Sequence, residues 1–136
     1  AEKQPGTLGI HFRLGDYKNL QFLHRVSDAV FLQKAAERVS PDIKNLILFS
    51  DEPDAAAEII AGIPAFDRFT IEIARNSPCD ALRRMTAMQE LILSCSSFSW
   101  WGAWLGETEN VILPGKWFTG QIYDYHDVYE PHWIKL

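Results

Sequence analysis

Two short polar clusters in this sequence carry side chains suited to holding an anion. The first, His11-Phe12-Arg13-Leu14-Gly15-Asp16-Tyr17, sets a guanidinium close to a glycine and a carboxylate. A guanidinium presents a planar fork of donors that matches phosphate oxygens. Glycine lets the backbone approach a ligand closely, and the carboxylate can orient the arginine or a substrate hydroxyl. The same residues also read as a surface turn with an Arg13–Asp16 ion pair and a satisfied core histidine at His11. The second cluster is Ser96-Ser97-Phe98-Ser99-Trp100-Trp101-Gly102-Ala103-Trp104-Leu105. Hydroxyl residues at a helix start add side-chain donors to the unpaired N–H groups of the first turn, in a field that favours phosphate. Capping uses the same donors, so capping and ligand binding are compatible readings of Ser96 to Ser99. Trp100, Trp101 and Trp104, at helical spacing, are expected to face a sheet as core.

A third polar stretch, Phe49-Ser50-Asp51-Glu52, is expected to cap the helix that follows it. Asp80, after Pro78, reads the same way, although a carboxylate at a strand-to-helix turn can also accept from the N–H donors of a purine. HExxH, P-loop GxxxxGK, GxGxxG and GxSxG spacings are all missing, and no His and Cys residues are spaced as metal ligands. Cys79 and Cys95 are too few and too far apart for a disulfide framework or zinc knuckle, and are expected to be reduced packing residues.

Positioning these clusters requires regular elements, and the apolar pattern supplies them. Short apolar runs alternate with stretches of helical period, the pattern of a doubly wound parallel sheet covered on both faces. Five strands are expected: Thr7 to Phe12, Leu46 to Phe49, Phe69 to Ala74, Leu91 to Leu93 and Val111 to Leu113. Between them, Ser27 or Asp28 can cap a helix with Ala29, Leu32, Ala36 and Val39 on one face. The turn at Pro53 starts a helix that Gly62 should stop, Asp80 to Gln89 is expected to be helical, and Phe98 to Leu105 forms another helix. The tail from Lys116 onward has no clear period and is expected to wrap over the sheet. In such sheets ligands sit at the carboxyl ends of the strands, where both polar clusters fall.

Composition narrows the function classes. The 136 residues are 47% hydrophobic and 23% charged, as in a soluble globular domain, and one domain is expected. The formal charge of −5 argues against a general binder of nucleic acid or anionic membrane, because those partners are held by a summed positive field. No apolar run is long enough to span a bilayer, and the opening Ala1-Glu2-Lys3-Gln4-Pro5-Gly6 lacks the apolar core of a signal peptide.

In order, HFRLGDY, FSDE, SSFSWWGAWL and VILPGKWF resemble the donor half of the family-11 fucosyltransferases, which make α-1,2-fucosyl linkages. The resemblance runs from about Leu8 to Phe118, and SSFSWWGAWL is its most specific part. It implies a GT-B glycosyltransferase of which this chain is a single lobe, Rossmann-like and binding GDP-fucose without a required metal or other cofactor. Arg13, helped by His11, would meet the pyrophosphate; Ser97, Phe98 and Ser99 would line the phosphate or nucleoside side; Asp80 would face guanine. The implied reaction is inverting transfer of fucose to a galactose-terminated acceptor, with Asp16 the nominated base and Arg13 stabilising the leaving group. A non-catalytic binding or interaction module derived from the same fold is the alternative. The chain departs from the family pattern at Leu14, where a second basic residue is usual, and at Met88, Glu90 and Cys95. Relatives are about twice as long, and the acceptor lobe they carry is expected from a partner chain, from self-association or from a longer form of this chain. They work in the cytoplasm of bacteria or in the Golgi lumen of animals.

Overall fold

The computed structural model describes residues 2–13, 21–94, 97–114 and 130–136, with the backbone alone for 21–28 and Ser97. Its centre is a six-stranded sheet. The strands are β1 (Gln4–Phe12), β2 (Asn45–Ser50), β3 (Thr70–Ile73), β4 (Met88–Ile92), β5 (Asn110–Leu113) and β6 (Ile134–Lys135). They lie in the order β3-β2-β1-β4-β5-β6, with every pairing parallel. This is the strand order of the Rossmann fold, in which the winding direction reverses between β1 and β4.

Alternation along β1 sorts its side chains onto two faces. Leu8, Ile10 and Phe12 join Leu46, Leu48, Ile92 and Ile112 in a core covered by helices α1 (Gln21–Arg38) and α2 (Pro53–Ala61). On the other face Ile47, Phe49, Leu91, Leu93, Val111 and Leu113 pack with Met85 of helix α3 (Pro78–Thr86) and Ala103 of helix α4 (Ser97–Leu105). Gly9 belongs to this second face. A Cβ there would stand 2.7 Å from Met88 Cγ and 2.8 Å from Leu91 Cδ2, so only glycine lets β1 and β4 close together. Gly102 does the same between α3 and α4, where a Cβ would meet Met85 Cε at 2.8 Å.

Several boundaries differ from those expected. Backbone helix begins at Gln21, upstream of Ser27 and Asp28, so both fall inside α1 rather than at its start. Helix α3 stops at Thr86, and Met88 and Gln89 open β4 rather than closing the helix: their helix propensity yields to pairing with β1, where Gln4 lies opposite Met88. The described part of the tail adds β6 to the sheet edge beside β5, with Ile112 opposite Ile134. Residues 115–129 of the tail lie outside the described residues.

Helix α2 does start at Pro53 and end at Gly62, whose N–H is bonded to the carbonyls of Glu58 and Ile59 at 3.2 Å. Its N-cap, Glu52, makes no side-chain capping bond. Ser50 instead ties two strand ends together: its hydroxyl donates to the Phe12 carbonyl and accepts from the Glu52 N–H at 3.0 Å.

Helix α4 departs furthest from expectation. Trp100 packs against the core, but Trp101 and Trp104 are each 46% exposed and Leu105 is 49% exposed. The three tryptophans pack on one another, Trp100 and Trp104 stacked at 5.9 Å and Trp101 edge-on to both. Glycine and alanine at Gly102 and Ala103 make the buried contacts, Gly102 against Met85 of α3, so the small face of α4 turns inward and the large aromatic face turns outward. Cys79 is also exposed rather than packed, and Cys95 lies outside the described residues.

Candidate functional site

A cleft of about 510 Å³ opens at the carboxyl ends of the strands. Its lining draws on the end of β1 (His11, Arg13), the β2–α2 turn (Phe49, Ser50, Asp51, Pro53), the segment after β3 (Ala74, Arg75, Asn76) and the helix starts at Pro78, Ala81 and Phe98. Position follows from topology, since β1, β2 and β3 run parallel and deliver their carboxyl ends to one edge. α4 enters from beyond β4, across the point where the winding reverses.

His11 is the best-fixed polar group of the cleft. It is 7% exposed, its ring lies 5.1 Å from that of Phe98, and its Nδ1 is 2.9 Å from Ser99 Oγ and 3.2 Å from Ser94 Oγ. Burial, opposed by Asp51 and reinforced by Arg13, lowers the imidazole pKa to about 4, so the ring is neutral near pH 7. Its contribution to an anion is therefore a hydrogen bond rather than a charge. When a serine hydroxyl donates to Nδ1, the ring proton sits on Nε2, and an anionic ligand favours that tautomer.

Ser99 is fully buried, and its hydroxyl also reaches the Ser94 carbonyl at 3.2 Å. In this arrangement Ser99 anchors the His11 ring from behind, while Phe98 forms part of the cleft wall. Ser97 is the first residue of α4, and its side chain lies outside the described residues, as do Asp16 and Ser96. Asp80 stands apart from the lining. It belongs to the first turn of α3, where its N–H is bonded to Ser77 Oγ at 3.3 Å and its carboxylate lies 3.1 Å from the same hydroxyl. The structure thus brings His11, Arg13 and Phe98 together, puts Ser99 behind them, and leaves Asp80 in a cap.

Phe49, Asp51, Arg75 and Asn76 also line the cleft, and the sequence reading assigned none of them to a ligand. Their common signal is position at or just beyond the carboxyl end of a parallel strand. The rim is braced from below by Arg84, whose Nη1 donates to Glu72 Oε2 at 2.7 Å and to Asn76 Oδ1 at 3.1 Å. That bond holds the Glu72 carboxyl below the usual range. Among the described residues no group of three or more His, Cys, Asp or Glu side chains is placed to hold a metal ion, and no helix is long and apolar enough to cross a membrane.

Residues 2–136 match the family model for glycosyl transferase family 11. The chain belongs to that family. It is 30% identical over 126 residues to the O-antigen biosynthesis glycosyltransferase WbnK of Escherichia coli, an alignment covering 84% of this chain and 40% of WbnK. The chain therefore spans about two-fifths of the length of the curated relative it matches. No solved structure matches it. Family-11 membership accounts for the order in which the polar clusters occur, and the parallel sheet brings His11 and Arg13 of the first and Phe98 of the second into one cleft.

Proposed function

We propose that this chain is the donor-binding lobe of a glycosyltransferase that takes GDP-fucose and transfers fucose to a galactoside hydroxyl in α-1,2 linkage. The observation that supports the reading is the single cleft in which the Arg13 guanidinium, the neutral His11 ring and Phe98 at the start of α4 converge. Family-11 membership supports nucleotide-sugar-dependent transfer, and the likeness of the motifs to the fucosyltransferases supports the specific donor and linkage. The diphosphate lies against Arg13 and the Nε2–H of His11, with the first turn of α4 adding backbone donors.

In the reaction the acceptor hydroxyl attacks the fucose anomeric carbon, the bond from that carbon to the β-phosphate oxygen breaks, and GDP leaves with inversion. Asp16 takes the hydroxyl proton. Arg13 and the α4 terminus stabilise the charge that grows on the departing diphosphate, the role a cation fills elsewhere. Transfer also requires the acceptor to be held in line.

Calorimetric titration tests donor binding. GDP and GDP-fucose bind the folded chain in the micromolar to low millimolar range, and Arg13→Ala weakens GDP by about 1.5–3 kcal/mol, the range for a charge-assisted contact. Absence of binding at millimolar GDP overturns the proposal. A second reading, a module that binds the donor without transferring it, is favoured by the departures from the family pattern at Leu14 and Cys95. Fucosylated product from GDP-fucose and a β-galactoside acceptor excludes it.

A further inference from the structure

We propose that Arg75 is a second guanidinium for the donor diphosphate, held on Asp54 until the ligand draws it away. The inference rests on the donor reading above and adds to it a residue and an exchange of partners. A sugar diphosphate carries charge on each phosphoryl group and gains more as the glycosidic bond breaks. Besides Arg13, the cleft lining holds one carboxylate, Asp51, and its His11 is neutral. Arg75 is the other cation of that lining.

Its placement is built by the sheet. The Ala74 N–H is bonded to the Leu48 carbonyl at 2.9 Å, so the chain leaves β3 at Arg75 alongside the end of β2. There the Arg75 Nη2 meets Asp54 Oδ1 at 2.7 Å, in the first turn of α2. The two side chains are 61% and 85% exposed. A pair so open to water contributes little, whereas a phosphate offers the same guanidinium two parallel charge-assisted bonds. Exchange therefore favours the phosphate. Asp54 tolerates the loss, being hydrated and close to the positive end of α2.

The rival role for this pair is a strut between α2 and the segment after β3, and the two roles predict different signs. The test is calorimetric titration of the wild-type chain, Arg75→Ala, Arg75→Lys and Asp54→Asn with GDP, GMP and guanosine, with circular dichroism to verify folding. Arg75→Ala is expected to weaken GDP about 5- to 10-fold and guanosine not at all, and Arg75→Lys to recover part of the loss. Asp54→Asn, which frees the guanidinium, is expected to tighten GDP about 2- to 5-fold. Equal weakening of GDP by Arg75→Ala and Asp54→Asn, or equal loss of guanosine and GDP, overturns the assignment. Wild-type GDP binding that Arg75→Ala leaves intact removes Arg75 alone, whereas a wild-type chain that binds no GDP removes the donor reading beneath it.

Discussion

His11 Nδ1 and Ser99 Oγ lie 2.9 Å apart although 88 residues separate them in the chain. That contact crosses from the end of β1 to the first turn of α4, so the orientation of a cleft residue depends on a fully buried hydroxyl. Removing it with Ser99→Ala leaves Nδ1 with the longer contact to Ser94 Oγ at 3.2 Å. The expected cost is about 1–2 kcal/mol in urea-denaturation stability, together with a several-fold loss of GDP affinity. A variant as stable as the parent would show that the hydroxyl and ring are not bonded.

The neutral His11 also makes stability depend on pH. Its folded pKa of about 4 lies below the 6.5 of an unperturbed imidazole, so the unfolded chain takes up this proton first as pH falls. Stability is complete above pH 6.5 and declines between 6.5 and 4, with a total loss of roughly 3 kcal/mol. Chemical denaturation across that window should show the slope in the parent and a flatter profile in His11→Asn. Below pH 4.5 the lowered Glu72 carboxyl adds a further decline in the same direction, as its bond to Arg84 is lost.

Two glycines should respond to alanine with opposite signs. Gly9→Ala drives a methyl into Met88 and Leu91, contacts of 2.7 and 2.8 Å that belong to the packed core between β1 and β4. Destabilisation of about 1–3 kcal/mol is expected. At Gly62 the backbone is right-handed helical and a Cβ meets nothing nearer than 3.5 Å. Alanine there should be neutral or stabilising by up to about 1 kcal/mol, through the unfolded chain. Melting curves of the two variants decide both claims.

The outward face of α4 makes a second contrast. Trp101, 46% exposed, owes its contacts chiefly to Trp100 and Trp104. Trp101→Gln should cost about 1 kcal/mol, the value of aromatic pairing, rather than the 3–5 kcal/mol of a core tryptophan. A loss in the higher range would place the ring in the interior.

The sequence announced those parts of the molecule whose residues act locally. Leu46 to Phe49 is apolar enough to be a buried strand in any context, and Pro53 and Gly62 punctuate α2 by their own backbone preferences. Glu90 shows why other parts were hidden. A carboxylate in mid-strand breaks the apolar run, yet it is 1% exposed, its Oε1 3.3 Å from the Ser40 N–H, and β4 is held in the sheet by neighbours distant in sequence. The tryptophans of α4 misled for a related reason: size and spacing suggest burial, but the helix packs inward through Gly102, against Met85 of α3, and Ala103. At the site, His11, Arg13 and Phe98 were identifiable by type. Arg75 and Asn76 were not, because nothing in Ala74-Arg75-Asn76-Ser77 reveals that β3 ends beside β2 until the strand order is known.

The order of the sheet also constrains when the cleft can exist. β1 can pair with β2 as soon as residue 50 is made, but its other neighbour is β4, and the ring of His11 waits for Ser94 and Ser99. Closing so long a loop is entropically slow, and domains emerge from the ribosome amino end first. During synthesis the unfinished half-sheet therefore leaves one margin of β1 bare until β4 arrives to cover it.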